Sequence, residues 1–254
     1  MCTVSWLHTA TGFALFCNRD EQRTRGPEKA PSRFERAGVS YLSPRDGDFG
    51  GTWVSVNEFG LAVTLLNGYT KTRGESRAQW TSRGLLVDGL AHLENAVTVR
   101  EQLLSIDLRE YQPFQLLAID AAGGLASLRW DGLVLESLDD PNREMPLVSS
   151  GVEAPEVRAH RKALLADMTP SSNQLTEDLL ASYHSSHGAG PSAYSTCMHR
   201  EDAKTRSLCR IRVDDRRVQF DYKPGSPCKT EWAAPLQLTR RNGLNSHRAE
   251  GSKS

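Results

Sequence analysis

A cysteine at position 2 and the run Asn18-Arg19-Asp20-Glu21 are the residues whose types and spacing could do nucleophilic chemistry in this chain. If Met1 is removed, as the small side chain after it permits, Cys2 becomes the first residue and carries a thiol beside an α-amino group. Such an amine has a reference pKa of about 7.7–8.0, so near neutral pH it can take up the thiol proton, in the manner of an N-terminal threonine nucleophile. Taken alone, a cysteine at the second position is more often a small buried apolar side chain. Arg19 and Asp20 shift that weight, because an arginine beside a thiol favours the thiolate and an aspartate can accept from the α-ammonium and orient it.

Other candidates are weaker. Cys197-x-His199, with Cys209 and Cys228 further on, has metal-ligand residue types, but the spacings lack the tight two-by-two clustering of structural zinc, and no metal or other cofactor is expected. His184 and His187 sit near Gly188-Ala189-Gly190-Pro191 and are expected to face solvent. Trp53, after Gly50-Gly51, is either a pocket wall or a buried strand residue. The chain has no G-x-S-x-G elbow, no phosphate-binding G-x-x-x-x-G-K-[ST] loop, no C-x-x-C pair and no H-E-x-x-H, so common serine hydrolases, P-loop enzymes and common zinc sites lose ground.

The elements that must position these residues are legible from periodicity. Thr3–His8 and Gly12–Asn18 read as a hairpin, which lays the end of the second strand beside the start of the first and brings Arg19 and Asp20 to the mouth of Cys2. Asp20–Gly38 is polar, with Gly26-Pro27 and Pro31, and is expected to be irregular. Thr52–Asn57 and Leu61–Leu66 form a second hairpin, for four strands before any helix. Apolar residues at helical spacing (Leu85, Leu86, Leu90, Leu93, Val97, Leu103, Leu104) predict one or two helices over 82–106. Strands are predicted at Phe114–Ile119, Leu125–Trp130 and Leu133–Leu138, helices at Glu153–Met168 and Asn173–Tyr183, and final strands at Ser195–Met198, Ser207–Val213 and Arg216–Tyr222. Strand blocks segregated from helix blocks point to an α+β protein of antiparallel sheets with helices packed outside. Residues 1–238 are expected to form one domain and 239–254 a frayed, disordered tail.

Charge and composition remove further classes. The 31 basic residues balance 31 acidic ones, so no net field draws the chain onto nucleic acid. No apolar run approaches the roughly 18–20 residues of a membrane span, and the moderately apolar Val4–Cys17, with no basic segment before it, reads as part of the mature fold rather than as a signal peptide. Five scattered cysteines do not make a disulfide framework and suit a reducing compartment, the cytoplasm by default. Oligomeric state is not readable.

Met1-Cys2, Asn18-Arg19-Asp20-Glu21, Gly50-Gly51-Thr52-Trp53 with Val54-Ser55-Val56, and the strand ending in Asn67-Gly68-Tyr69 together resemble the NRDE family, also called transport and Golgi organisation protein 2-like. That family is similar to the N-terminal-nucleophile (Ntn) hydrolases, in the branch of bile salt hydrolases and penicillin V acylases. The resemblance implies a four-layer αββα sandwich of two antiparallel sheets. It implies Cys2 as nucleophile and base, Arg19 and Asp20 flanking it, Asn67 as donor to an oxyanion, and Arg206, in Thr205-Arg206-Ser207, near the nucleophile. Asn18, Trp53 and Ser150 are expected around the substrate. Ser149-Ser150-Gly151 departs from the family's usual Ser-Asn-Gly, which replaces an amide by a shorter hydroxyl. The implied activity is acyl transfer from a non-peptide amide, a small molecule, to Cys2. The competing expectation is a non-catalytic lipid, acyl-CoA or haem carrier. Arg19 and Arg206 together at one pocket would favour an acidic or polarised acyl group.

Overall fold

Apolar, β-branched and aromatic residues begin at the second position, and the chain folds there into a hairpin of β1 (Cys2–Thr9) and β2 (Gly12–Gln22). Residues 2–69, 80–170 and 174–241 are described by the computed structural model. Four more strands precede the first helix: β3 (Lys29–Arg36), β4 (Val39–Arg45), β5 (Val54–Asn57) and β6 (Ala62–Asn67). Helices α1 (Gly84–Leu90) and α2 (Ala96–Ser105) come next. Strands β7 (Phe114–Ile119), β8 (Leu125–Trp130) and β9 (Leu135–Ser137) follow. The short α3 (Pro141–Glu144), β10 (Leu147–Ser149), α4 (Ala154–Met168) and α5 (Glu177–Ser185) lead to β11 (Ala203–Val213), β12 (Arg217–Pro224) and β13 (Leu236–Thr239).

The strands form two antiparallel sheets, one ordered β10-β1-β2-β11-β12-β13 and the other β3 to β9 in sequence order. Side chains alternate across each strand, and this alternation builds the layers. Val4, Trp6, Phe13, Leu15 and Cys17 point into the core between the sheets, with Val54, Val56, Leu66 and Leu117 opposite. The other face of β2, Ala14 and Phe16, packs under α4 and α5 against Leu165, Leu180 and Tyr183. Leu61, Val63 and Leu116, on the outer face of the second sheet, pack under α1 and α2 against Leu86, Leu90, Val99 and Leu103. The architecture is the expected α+β, αββα sandwich. Among the described residues no helix is long and apolar enough to cross a membrane.

Several local expectations are corrected. The stretch 20–38 is not irregular: β2 continues to Gln22, and Lys29–Arg36 is a strand despite Pro31. β3 is an edge strand with a register shift between Lys29 and Ser32, where a residue lacking an N–H is tolerated. Ser195–Met198 is not a strand. Its polar groups are taken up locally, Ser195 Oγ donating to Gly190 O at 2.7 Å and Cys197 N to Ser186 O at 2.9 Å, which competes with sheet pairing. Leu85, Val97 and Leu104 are exposed, so the core-facing stripe of the first helices is narrower than the spacing predicted. α5 begins at Glu177, capped by the Thr176 hydroxyl, and Asn173 lies outside the described residues. Of the expected tail, Thr239 ends β13 and Arg240 and Arg241 donate to Arg216 O and Glu58 O, while 242–254 lie outside the described residues.

Candidate active site

Strand register sets the site. Cys2 pairs with Arg19 of β2 on one side and with Ser149 of β10 on the other, and its backbone N–H donates to Ser149 Oγ at 2.9 Å. The thiol lies at the wall of a cleft of about 400 Å³ at the end of the sandwich, and Arg19, Trp53 and Asn67 line the same cleft. Burial pushes the Cys2 thiol above its ordinary range, and the Asp20 carboxylate pushes the same way. The Asp20 backbone N–H and the Arg19 charge pull it down without overcoming the burial. A thiol so placed is a nucleophile only when a base removes its proton.

The other wall comes from the loop between β4 and β5 and from the start of α1. Gly51 and Gly84 touch backbone to backbone: a Cβ on Gly84 would stand 2.8 Å from Thr52 N, and Thr52 N donates to Gly84 O at 3.1 Å. That approach carries Arg83 into the cleft. Arg83 donates to Pro113 O at 2.7 Å and has no carboxylate within salt-bridge distance among the described residues. Burial lowers its pKa, opposed by Tyr69, Cys2 and Glu21.

Arg19 differs. It is buried, lies 4.7 Å over the Trp53 ring, and is paired with Asp46 at 2.7 Å, Glu28 at 3.1 Å and Glu21 at 3.4 Å. Its charge is therefore compensated, and it serves the cleft as a positioned donor rather than as a free cation. Asn67, at the end of β6, lines the Cys2 cleft and also borders a neighbouring pocket of about 180 Å³. Among the described residues its amide makes no side-chain hydrogen bond, so its N–H groups can meet a ligand oxygen.

Asp20 faces the helices. Its Oδ1 accepts from Thr205 Oγ1 at 2.6 Å and its Oδ2 pairs with Arg161 of α4 at 3.2 Å, both charged side chains fully buried. Toward the Cys2 thiol, Asp20 presents a backbone hydrogen bond. Arg161 also donates to Thr3 Oγ1, Ala193 O and Tyr194 O. It was not singled out in the sequence, although Val157, Arg161 and Leu165 recur at i, i+4 and i+8 on the buried stripe of α4.

Three expected site residues lie elsewhere. Arg206 is not at Cys2: the register shifts between Thr205 and Ser207, and the bulge aims Arg206 away, toward Glu28 at 3.4 Å and the carbonyls of Gln22, Arg25 and Gly26. It lines a separate open crevice of about 430 Å³, whose lining includes Glu28, Lys204 and Tyr222 but not Cys2. Asn18 points to the outer face of β2 and donates to His184 O at 2.9 Å and Thr196 O at 2.8 Å, away from the cleft. Ser150 is buried at the neighbouring pocket, its hydroxyl donating to Val152 O at 2.5 Å. Arg206 thus adds no charge to the Cys2 cleft; a cation that lines it with no salt bridge among the described residues is Arg83, which no sequence pattern marked. His184 is fully buried instead of solvent-facing.

The fold is shared with solved structures, among them the following three. An N-acylethanolamine-hydrolyzing acid amidase ortholog from Caenorhabditis elegans aligns with a TM-score of 0.56 at 11% identity, over 83% of this chain and 92% of that one. A variant of conjugated bile acid hydrolase from Clostridium perfringens aligns at 0.55 and 11% identity, over 98% and 100%. Penicillin V acylase from Agrobacterium tumefaciens aligns at 0.50 and 12% identity, over 88% and 83%. No curated protein matches the sequence. A family model described as Transport and Golgi organisation 2 matches residues 1–207, which include Cys2, the Asn18–Glu21 run, the Gly50–Trp53 wall and Asn67. The chain belongs to the Transport and Golgi organisation 2 family, on an Ntn-hydrolase-like fold.

Proposed function

We propose that the chain is a cytoplasmic N-terminal-cysteine amidohydrolase, acting on a linear, non-peptide amide after Met1 is removed. The observation that carries this reading is that the Cys2 thiol and an Asn67 amide with no side-chain hydrogen bond among the described residues line one cleft. In this mechanism the α-amine of Cys2 takes the thiol proton, and Ser149, which accepts from that nitrogen at 2.9 Å, orients it. The thiolate attacks the amide carbonyl, and Asn67 donates to the oxyanion that forms. The α-ammonium returns its proton to the departing amine as the C–N bond breaks, leaving an acyl thioester on Cys2. Water, deprotonated by the same amine, then releases the acid. Arg83, which lines the cleft without a salt bridge among the described residues, favours substrates with a carboxylate or other anion beside the scissile bond.

Met1 lies outside the described residues, so its removal is part of the proposal. Intact mass spectrometry of the purified chain, with and without a panel of anionic and neutral amides, tests both parts. Loss of Met1, acyl adducts that vanish in Cys2→Ala, and faster turnover of the anionic amides are expected. Full retention of Met1, or ligands recovered uncleaved, would overturn the hydrolase and leave a carrier that uses the same cleft.

A further inference from the structure

Away from the cleft, the structure gathers two cysteines and two histidines from two loops. His187 follows α5, Cys197 and His199 lie on the loop leading into β11, and Cys228 lies in the turn after β12. One nitrogen or sulfur from each falls within 4.8 Å of all the others. Cys197 Sγ is 3.5 Å and Cys228 Sγ 3.4 Å from the same atom, His199 Nε2. The His187 and His199 rings meet edge to face, with centroids 5.0 Å apart. Among the described residues His187 Nε2 is shielded from solvent and has no hydrogen-bond partner.

Hydrogen bonding alone accounts poorly for this arrangement. A ring nitrogen has either one lone pair or one N–H, so Nε2 of His199 cannot satisfy two thiols at once. A cation at the centre would satisfy both sulfurs and the ring nitrogens. For tetrahedral zinc, with Zn–S of about 2.3 Å and Zn–N of about 2.0–2.1 Å, a sulfur and a nitrogen on one metal stand about 3.6 Å apart. The two observed S···N separations are close to that edge. Two thiolates and two imidazoles suit zinc over the harder divalent ions, and four protein ligands leave no open position for substrate.

We propose that His187, Cys197, His199 and Cys228 form a structural zinc site. Binding displaces one proton from each thiol, and the two thiolates neutralise the dication, so the partly buried site is electrically balanced. The metal ties the turn after β12 to the 186–202 loop and holds the two ends of that loop together. That loop supplies Ala193 O and Tyr194 O to Arg161 and Thr196 O to Asn18, so the site braces the layer behind Asp20. Sequence spacing hid it, because three ligands are spread unevenly along the 186–202 loop and the fourth comes from the turn after β12, rather than from two tight pairs. The inference is independent of any role for Cys2.

The test is metal analysis of the full-length chain purified under reducing conditions without chelator, together with cobalt substitution. One zinc per chain is expected. Cobalt should give visible bands of a tetrahedral centre and a thiolate-to-metal band in the near ultraviolet. Cys228→Ser and His187→Gln should each lose the stoichiometric metal, and the exposed His8→Gln should retain it. Wild-type protein that takes up no stoichiometric zinc on reconstitution and gives no tetrahedral cobalt spectrum would overturn the site, whether or not the variants fold. Undiminished binding in both ligand variants would also overturn it, as would a Cys197–Cys228 disulfide found by peptide mapping of the freshly purified protein.

Discussion

Asn67 shows how much a single side chain depends on its surroundings. Its amide ends a strand at the lip of the Cys2 cleft with no side-chain partner among the described residues, so Asn67→Ala removes little that the fold uses. On the proposed mechanism that change is expected to lower kcat by about 10²–10³ with KM little altered, because the donor acts on charge that develops only in the transition state. Steady-state kinetics on any amide that the wild type turns over checks this. A matching loss of thermal stability would assign Asn67 a structural role instead. Arg19 and Arg83 make the complementary point. Both line the cleft, but Arg19 is held by Glu28 and Asp46, whereas Arg83 donates to Pro113 O and has no salt bridge among the described residues.

At the scale of the element, the last turn of α5 carries a buried histidine that the sequence placed in solvent. His184 Nε2 lies 2.7 Å from Ser5 Oγ, and its ring stacks on Phe16 at 5.6 Å. Burial, with the Arg161 charge adding to it, pushes its pKa down to about 3. The folded-state value is thus below the ordinary value of about 6.5, and the unfolded chain binds the extra proton between the two. The stability that His184 contributes is present above about pH 6.5 and is lost as pH falls toward 3, by about 1.4 kcal/mol per pH unit at most. Urea unfolding at pH 7, 6 and 5 is expected to show this slope in the wild type and a flatter one in His184→Gln, whose amide can still meet Ser5. Equal slopes would show that other groups govern the acid limb. The bulge in β11 is the other decisive element: one extra residue between Thr205 and Ser207 sends Arg206 to a different crevice.

Across the whole molecule, the buried Arg161–Asp20 pair joins the α4 layer to the strand that flanks Cys2. Removing one partner leaves a charge without compensation in a water-free layer. Arg161→Met is expected to cost about 3–5 kcal/mol of folding free energy, and adding Asp20→Asn should recover part of it. Chemical denaturation of the single and double variants measures the coupling. Additive losses would mean that the two residues contribute independently.

The sequence by itself determined the layered α+β architecture, because strand and helix periodicities follow from which faces are buried, and those faces are written locally. It also determined the pairing of Cys2 with the end of β2, since a short hairpin turn fixes register. Recognition of Asn67 and Trp53 at the cleft came from segment order, as did the expectations for Arg206 and Asn18 that the structure moved. Tertiary structure alone decided those two, because a bulge and a strand face are set by neighbours and not by residue type. It alone brought Arg83 into the cleft through the Gly51–Gly84 contact, and Arg161 to Asp20 across more than a hundred residues. The gathering of His187, Cys197, His199 and Cys228 belongs to the same class. Each depends on contacts between segments distant in the chain, and spacing along a sequence carries no information about such contacts until the layers close.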